Sequence, residues 1–512
     1  MVRRLPIVAV VAVLLLVALG CGGPLVRSRL PQDPLVRLRE QLQGLFAEAA
    51  FGNAFWGVLI QSADTGEVIF SQNEEKSFVP ASNMKLFTTA VALLKLGPEF
   101  RYQTRLYGLG EVDDEGTLQG SLLIEGSGDP TISGRFMDGR ITATFEAWAE
   151  SLISRGIRKV AGDIIGDDDI FDDQSLGPGW AWDYQTDWYA AQISGLSFND
   201  NCVDISIVPG EEIGDLAQVE LNPVTSYVTI NNTLRTCLHS WEQEMKFWRH
   251  PGSNQVDLTG SIALEGKGYE GWITVDNPTL FAATVFKEVL MARGIQVAGQ
   301  ALDVDEVDPE SVANHHQNWP PVATLTSPPM TEIIKVVNKR SQNYYAEQLL
   351  KTLGAVFTGK GSFAGGVEVV KETLAEVGIS PGQFIMVDGS GLSRHNFCSP
   401  RQIVTLLSTM ARHSSFTYFR DSLPIAGVDG TIGLRMRGTT AQEKTWAKTG
   451  YVDRVRALSG YVYSLDGELI IFSMIVNNYS VPTSMAEDVQ DRACQMLASF
   501  SRRGAFSQRK IP

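Results

Sequence analysis

The chain has 512 residues, 44% hydrophobic and 20% charged, a composition that excludes a disordered protein and allows sizeable cores. At roughly 150 residues per domain, the length suggests about three domains. The net charge is −15 at pH 7 and no basic groove is evident, which argues against nucleic acid as a partner.

Residues 1–21 predict an export signal. Two arginines precede an apolar run that is too short for a comfortable membrane span. The run ends in Ala-Leu-Gly-Cys21, which resembles a bacterial lipobox, although alanine stands where a larger aliphatic residue is usual. We favour lipidation of Cys21, with membrane attachment through that lipid, and ordinary signal-peptidase cleavage is the alternative. Both routes predict an exported protein of the periplasm or cell envelope, with residues 22–34 as a tether.

The segment after the tether predicts a helix, a hairpin and a second helix. Apolar residues at helical spacing predict the first helix over 35–50, and two strands joined at the turn Asp64-Thr65-Gly66 follow. A strong helical pattern then runs from Met84 to Leu96. This pattern puts Ser82 at a helix N-terminus and Lys85 one turn further on.

Residues 105–302 have a different sequence pattern, with short strand-like runs and acidic turns. LISRGIRKVAG (152–162) resembles LMARGIQVAG (290–299), and each copy predicts a helix end, a turn and a strand start. The two copies suggest related halves of an inserted unit. The acidic run DDDIFDD lacks the glycine and the closing glutamate of an EF-hand, so it predicts a solvated turn rather than a calcium loop.

The cysteines that follow the signal do not have metal-ligand spacing. They show neither C-x-x-C spacing nor histidine partners, which argues against a zinc site. A Cys202–Cys237 bridge and buried free thiols both remain open. His315-His316 lies in a polar segment that predicts a loop. We expect no cofactor and no metal in the chemistry below.

Helical patterns return after residue 302 and continue to a C-terminal amphipathic helix. Helices before and after a sheet whose strands come from both ends of the chain make an α+β domain split by an insertion. We therefore expect one domain from 35–104 and 303–502, an inserted part at 105–302, and a tail at 503–512.

Three short strings in a fixed order carry the chemistry: Ser82-Asn83-Met84-Lys85, Ser341-Gln342-Asn343 and Lys448-Thr449-Gly450. Alone, each has a plainer interpretation: a helix N-cap, a loop cap between helices, and an exposed lysine on an edge strand. S-x-x-K, S-x-N and K-T-G in this order are close to the motif set of penicillin-binding proteins and class A β-lactamases. The ordered set therefore outweighs the three plainer interpretations.

A serine hydroxyl needs a base within hydrogen-bond reach to act as a nucleophile. The i to i+3 spacing puts Ser82 and Lys85 on one helix face, and burial beside Lys448 would lower the lysine pKa enough for base chemistry. Lys448 and its neighbouring threonine suit a substrate carboxylate. Gly450 allows a substrate backbone to approach the strand edge.

The match extends beyond the three strings. GSGDPT (126–131), GLSFNDN (195–201), NPTLFAATVF (277–286), VDGSGLSRHN (387–396) and LPIAGVDGTIGLRM (423–436) look like further signatures of one family. The chain resembles the class C low-molecular-mass penicillin-binding proteins, the D-alanyl-D-alanine carboxypeptidase/endopeptidase family, from about residue 40 to 500.

This resemblance implies a transpeptidase/β-lactamase-like domain, an antiparallel sheet flanked by helices. It also implies two inserted mainly-β or α+β domains, one nested in the other, between S-x-x-K and S-x-N. It implies the following roles: Ser82 as acylated nucleophile, Lys85 as general base, Ser341 and Asn343 in proton transfer and substrate positioning, Lys448 and Thr449 on the terminal carboxylate, the backbone N–H groups of Ser82 and Tyr451 as oxyanion hole, and Asp129 toward the substrate side chain.

Two positions depart from the family pattern. Gln342 stands where aspartate or asparagine is common, and we expect it to point away from substrate. Tyr451 follows K-T-G where threonine or serine is usual. It keeps the backbone N–H but adds bulk, which would reshape specificity or slow acylation.

The sequence thus predicts an exported serine D-Ala-D-Ala carboxypeptidase or DD-endopeptidase that cleaves peptidoglycan stem peptides or their cross-links. β-Lactam antibiotics are expected to acylate the same serine. One rival is a β-lactamase or esterase on the same fold, and the other is a cell-wall-binding scaffold with a silenced site.

Overall fold

The computed structural model describes residues 33–503. The expected signal, Cys21, nearly all of the tether and nearly all of the tail lie outside the described residues. Among the residues that are described, none of the helices combines the length and the apolar character needed to cross a membrane.

The strands are β1 (Phe55–Ser62), β2 (Val68–Gln72), β3 (Gln103–Leu109), β4 (Thr117–Leu118), β5 (Ser121–Glu125), β6 (Lys159–Val160), β7 (Ile164–Asp167), β8 (Cys202–Val208), β9 (Gln218–Asn222), β10 (Thr229–Asn232), β11 (Arg235–Cys237), β12 (Glu244–Arg249), β13 (Gln255–Ala263), β14 (Tyr269–Thr274), β15 (Gln296–Val297), β16 (Ala301–Asp303), β17 (Ala323–Thr326), β18 (Thr445–Val452), β19 (Val455–Tyr463) and β20 (Leu469–Asn477). The α-helices are α1 (Pro34–Phe46), α2 (Met84–Lys95), α3 (Ala143–Ser154), α4 (Pro278–Ala292), α5 (Pro309–Val312), α6 (His315–Asn318), α7 (Met330–Lys339), α8 (Asn343–Thr358), α9 (Phe363–Glu376), α10 (Pro400–Arg412), α11 (Phe416–Ser422) and α12 (Thr483–Ala498).

Both ends of the chain build one antiparallel sheet in the order β18-β19-β20-β1-β2. Successive residues of a strand face opposite sides, so Leu59 packs with α2, α7 and α8, whereas Val58 and Ile60 pack with α1 and α12. The α+β prediction of an antiparallel sheet flanked by helices is confirmed. β18, which carries K-T-G, is an edge strand of this sheet.

The helix expected over 35–50 is shorter than predicted. It ends at Phe46, and a separate 3₁₀ turn covers Ala49–Phe51. The break allows Phe46 and Phe51 to pack edge-on against Trp56, with ring centroids 5.2 and 5.5 Å away. Aromatic packing on β1 thus overrides the helical periodicity of the sequence.

Residues between α2 and α7 form further sheets. One has the order β16-β7-β5-β3-β17, and two smaller ones are built from β8–β14. The repeated helix–turn–strand pattern is confirmed: α3 leads to β6, α4 leads to β15, and the two strands pair in parallel. β17 pairs with β3, so the chain is still part of an inserted sheet at residues 323–326.

The inserted part docks on α8, the helix that begins at Asn343. The amine of the fully buried Lys351 donates to Asp172 Oδ1 at 2.6 Å, and Gln348 Nε2 donates to Ser197 Oγ at 2.8 Å. Asn343 Nδ2 donates to the Tyr189 carbonyl at 2.7 Å. The acidic run is therefore not wholly solvated, because one of its aspartates joins the insertion to α8.

The described cysteines, Cys202, Cys237, Cys398 and Cys494, are all free. The sequence left two predictions open for Cys202 and Cys237. The disulfide bridge is wrong, and both residues are free thiols. His315-His316 was predicted to lie in a loop, but the pair opens the short helix α6.

Candidate active site

Ser82 lies in a 3₁₀ turn, Ala81–Asn83, that leads directly into α2. Ala81 has φ +48° and is fully buried, an uncommon backbone conformation for a residue with a Cβ atom. The turn directs the Ser82 hydroxyl toward Lys85, whose Nζ donates to Ser82 Oγ at 2.9 Å. The nucleophile and base predicted from the S-x-x-K spacing are therefore in hydrogen-bond contact.

The Lys85 amine is buried and lies among three acceptors. Besides Ser82 Oγ, it donates to Asn343 Oδ1 at 2.6 Å and to the Ser390 carbonyl at 2.8 Å. Burial lowers the pKa of Lys85 to about 7, although the carboxyls of Glu347 and Asp388 oppose that shift. Near neutral pH a substantial share of Lys85 is unprotonated and can accept the serine proton.

The sequence reasoning did not single out Glu347 and Asp388. Glu347 accepts hydrogen bonds from the Gly389 and Ser390 amides at 2.6 and 2.8 Å. Asp388 accepts from the Gly391 amide at 2.8 Å, among other donors. The two carboxyls thus hold the loop whose carbonyl receives Lys85. Burial raises the pKa of both, while their backbone donors oppose that shift.

Lys448 and Ser341 form the second hydrogen-bonded pair of the site. Lys448 Nζ donates to Ser341 Oγ at 2.8 Å, and Asn83 Nδ2 donates to the Lys448 carbonyl at 2.9 Å. The second bond ties K-T-G to the turn that carries Ser82. Burial lowers the pKa of Lys448 well below its ordinary value, and the neighbouring Lys85 and Arg456 lower it further.

Ser341 has φ +57°, in the left-handed region that residues with a Cβ atom seldom adopt. The strained residue follows α7 and precedes α8, where Gln342 and Asn343 both bond to the insertion. Such strain persists only where the surroundings hold it, and it is typical of functional sites.

The structure indicates a packing role for Gly450. A Cβ atom there would lie 2.6 Å from the Pro80 carbonyl oxygen, so glycine lets β18 pack against the segment that precedes Ser82. The expected substrate approach to Gly450 stays a prediction. Thr449 Oγ1 donates to Thr431 Oγ1 at 2.8 Å.

Tyr451 is 55% exposed, and its ring lies 5.3 Å from the Arg456 guanidinium. Its side chain therefore lies at the rim of the site. Alternate backbone N–H groups of an antiparallel edge strand are free of the neighbouring strand, which is compatible with an oxyanion role at this end of β18. That role of the Ser82 and Tyr451 amides stays a prediction.

A cavity of about 480 Å³ lies beside the S-x-N string, between that string and the insertion. Gln342, expected to point away from substrate, is part of its wall, and its Nε2 donates to Asp200 Oδ2 at 3.0 Å. The same Asp200 oxygen pairs with Arg135 at 2.6 Å. Trp188 and Trp272 also line the cavity, so its wall combines aromatic and charged groups.

Asp129 is only 1% exposed and is not part of this wall. Its Oδ1 accepts from the Thr131 amide and hydroxyl at 2.8 and 2.7 Å. Burial raises the pKa of Asp129 to about 6. The structure thus gives this aspartate a local hydrogen-bonding role, and its contact with a substrate side chain stays a prediction.

Three comparisons with known proteins identify relatives of this chain. The D-Ala-D-Ala carboxypeptidase 3 (S13) family matches residues 38–500. A D-alanyl-D-alanine carboxypeptidase of Actinomadura sp. (strain R39) is 33% identical over 482 residues, which cover 91% of this chain and 85% of that protein. D-alanyl-D-alanine carboxypeptidase DacB of Haemophilus influenzae is 28% identical over 434 residues, 83% of this chain and 85% of that protein.

The fold has a solved counterpart. The crystal structure of penicillin-binding protein 4 (DacB) from Haemophilus influenzae matches with a TM-score of 0.74 and 25% identity, covering 86% of this chain and 94% of that one. The family match and the relative at 33% identity confirm the resemblance that the motifs predict. The chain belongs to the D-Ala-D-Ala carboxypeptidase 3 (S13) family.

Proposed function

We propose that this protein is a serine-type DD-peptidase that cleaves the bond between two D-residues in peptidoglycan stem peptides. The observation that carries the proposal is the bond of 2.9 Å between the buried amine of Lys85 and the hydroxyl of Ser82. The S13 relatives are named D-alanyl-D-alanine carboxypeptidases. Carboxypeptidase action would release a terminal D-Ala, whereas endopeptidase action would release the amine of a cross-linked side chain.

In the first step Ser82 Oγ attacks the scissile carbonyl while neutral Lys85 accepts the hydroxyl proton. The tetrahedral intermediate collapses when the C–N bond breaks, and the leaving amine takes the proton that Lys85 accepted, which leaves Lys85 neutral again. Lys448 and Ser341, which are hydrogen-bonded to one another, offer a route for that proton. In the second step neutral Lys85 takes a proton from water, whose oxygen adds to the acyl carbonyl. The bond between Ser82 Oγ and the acyl carbon then breaks, and Lys85 returns the proton to Ser82 Oγ.

The Lys448 side of the site suits a substrate carboxylate. An arriving carboxylate raises the pKa of this lysine, because an opposite charge close by favours the ammonium form. Thr449 adds a hydroxyl on the same strand.

The cavity beside Gln342 is the proposed site for the substrate's side chain, a proposal that replaces the expectation that Gln342 points away from substrate. Arg135 and Arg340 supply cationic groups to its wall, and Asp200 and Asp204 supply anionic ones. A substrate side chain with a negatively charged end group could bind the arginines, and one with a positively charged end group could bind the aspartates.

β-Lactams are the proposed inhibitors of the same serine. Penicillin-binding protein 4 of Haemophilus influenzae, whose structure this chain resembles, has been crystallised in complex with a β-lactam. The β-lactamase or esterase alternative predicts rapid turnover in place of a lasting adduct. The scaffold alternative predicts no adduct at all, and it is disfavoured because every motif side chain with a chemical role is present.

We further propose a catalytic domain built from both ends of the chain, 35–104 and about 327–502, with two inserted domains between. In this proposal the chain re-enters the catalytic domain near residue 327 and not at 303, because β17 still pairs with β3. Export through residues 1–21, with or without a lipid on Cys21, remains part of the proposal.

The test is the intact mass of the purified protein after exposure to a fluorescent penicillin. The wild type is expected to gain one penicillin per chain, and Ser82→Ala is expected to gain none. Ser71→Ala is the matched control, because Ser71 is an exposed serine in another S-x-N string and should keep the adduct. Adduct formation on Ser82→Ala would overturn the assignment of the nucleophile. A short-lived adduct on the wild type would favour the β-lactamase.

A further inference from the structure

Three potential metal ligands converge at one edge of the inserted part, outside the site described above. Glu125 ends β5, and His315 and His316 begin α6 in the connector between β16 and β17. Glu125 Oε1 lies 2.8 Å from His316 Nε2 and 3.5 Å from His315 Nε2. Each residue thus directs one ligand atom toward the other two, and all three atoms lie within 4.8 Å of one another.

The hydrogen bonds around His315 define its tautomer. His315 Nδ1 lies 2.9 Å from the Val312 carbonyl oxygen, which can only accept, so Nδ1 carries the hydrogen. In the neutral ring Nε2 then carries no hydrogen and presents a lone pair. That atom is buried and has no hydrogen-bond partner within the described part of the chain, yet it faces a carboxylate oxygen. A lone pair facing an anion at this distance is unfavourable, and either a proton on Nε2 or a metal ion between the two atoms would relieve it.

The second histidine is held in a similar way. His316 Nδ1 lies 2.9 Å from the hydroxyl of Tyr107, and that hydroxyl lies 3.5 Å from Glu125 Oε2. His316 Nε2 lies 2.8 Å from Glu125 Oε1, a hydrogen-bond distance, so without a metal Nε2 donates to the carboxylate and Nδ1 accepts from Tyr107. Zinc would replace the Nε2 hydrogen, and Nδ1 would then donate to the Tyr107 hydroxyl. Histidines that bind metals commonly fix their tautomer through such an outer hydrogen bond.

The carboxylate of Glu125 is also oriented. Arg105, directly across the β3–β5 pair, approaches Oε2 at 3.3 Å. Oε2 is thereby engaged by Arg105 and Tyr107, which leaves Oε1 for the two histidines. Two imidazole nitrogens and one carboxylate oxygen, each with an ordered outer partner, suit a borderline cation such as Zn²⁺ better than Mg²⁺ or Ca²⁺.

We propose that Glu125, His315 and His316 form a Zn²⁺ site that fastens the connector to the inserted sheet. Tetrahedral zinc with ligands at about 2.0–2.1 Å separates its ligand atoms by about 3.3 Å, between the two distances found here. The His316 side chain is 55% exposed, so the ion can arrive from solvent and water can complete the coordination. The ligands are separate from the three active-site strings, so the ion stabilises the fold and takes no part in peptide cleavage.

The physical consequence is linkage between zinc and folding. A ligand that binds only the folded chain stabilises it in proportion to the logarithm of ligand concentration over its Kd.

The test uses the full chain, first stripped with a chelator and then titrated with ZnCl₂ at pH 7.5. We expect one zinc per chain by mass spectrometry of the metal and a higher melting temperature with zinc. His316→Ala and Glu125→Gln should each weaken binding at least 10-fold and reduce the zinc-dependent rise in melting temperature. His239→Ala is the matched control, because this histidine stacks on the exposed Trp241 elsewhere in the insertion.

Circular dichroism of each zinc-free variant separates loss of the site from loss of the fold. Penicillin acylation, expected to be unchanged in all three variants, separates this proposal from the proposed peptidase function. Failure of the stripped wild type to bind zinc, or binding by His316→Ala with the wild-type affinity, would overturn the proposal and leave a hydrogen-bonded cluster only.

Discussion

The two lysines of the active site differ in the charges around them. Lys85 and Lys448 are both fully buried and each donates to a serine hydroxyl. Lys85 is close enough to Glu347 and Asp388 for both carboxyls to raise its pKa, whereas the charged groups that act on Lys448 are cations. Burial lowers the pKa of both lysines, but carboxyls oppose the shift at Lys85, whereas cations add to it at Lys448.

This difference assigns the lysines to separate tasks. Burial lowers the pKa of Lys85 to about 7, which suits a general base at neutral pH. Among residues 33–503 the charged groups that act on Lys448 are cations, so a substrate carboxylate would supply a negative charge beside it. The comparison predicts that the two lysines respond differently to substitution, to the substrate's end group and to pH.

The largest effect is expected for Lys85→Met, which removes the base but retains the length and burial of the side chain. Loss of a general base costs about 10²- to 10⁴-fold in rate. Stopped-flow acylation by a fluorescent penicillin measures it. Lys95→Met, at an exposed lysine on the same helix, should acylate at the wild-type rate. A Lys85→Met rate within threefold of wild type would remove Lys85 from the base role.

A smaller and substrate-dependent effect is expected for Lys448→Ala. A hydrogen bond to a charged group contributes about 1.5–3 kcal/mol, so kcat/KM for a peptide with a free terminal carboxylate should fall about 10- to 150-fold. The same peptide with an amidated end should lose much less, because Lys448 has no anion to meet there. Equal losses for the two peptides would contradict the carboxylate assignment.

The smallest effect is expected for Glu347→Gln, which weakens one of the two influences that raise the Lys85 pKa. The pH midpoint of kcat/KM should move to lower pH, with a modest loss of rate because an amide replaces one acceptor of the Gly389 and Ser390 hydrogen bonds. Glu332→Gln, in a surface ion pair with Lys335, is the control and should leave the midpoint in place. A shift toward higher pH would contradict the electrostatic account.

The local part of the site could be predicted from the sequence. The contact between Ser82 and Lys85 could be predicted because residues three positions apart at the start of a helix lie on the same face. K-T-G could be placed on a strand because an apolar β pattern follows it. Glu347 could also have been found, since it lies one turn after Asn343 on the same helix face. The meeting of S-x-x-K, S-x-N and K-T-G could be predicted only through the family resemblance, because the spacing of distant segments follows from tertiary packing.

Other features depended on contacts that no local pattern records. Asp200 and Arg135 meet beside Gln342 only because the insertion docks on α8. The packing role of Gly450 depends on the nearby Pro80 carbonyl. The early end of α1 depends on two aromatic side chains that turn back onto β1.

The most direct test of the central claim is the rate of Ser82 acylation by penicillin as a function of pH from 5 to 9. Because burial lowers the pKa of Lys85 to about 7, the neutral base dominates above that pH. The rate is predicted to rise about tenfold per pH unit well below 7 and to level off above it. A rate that is flat from pH 5 to 9, or that rises only above pH 9, would contradict the assignment of Lys85 as a base tuned by burial.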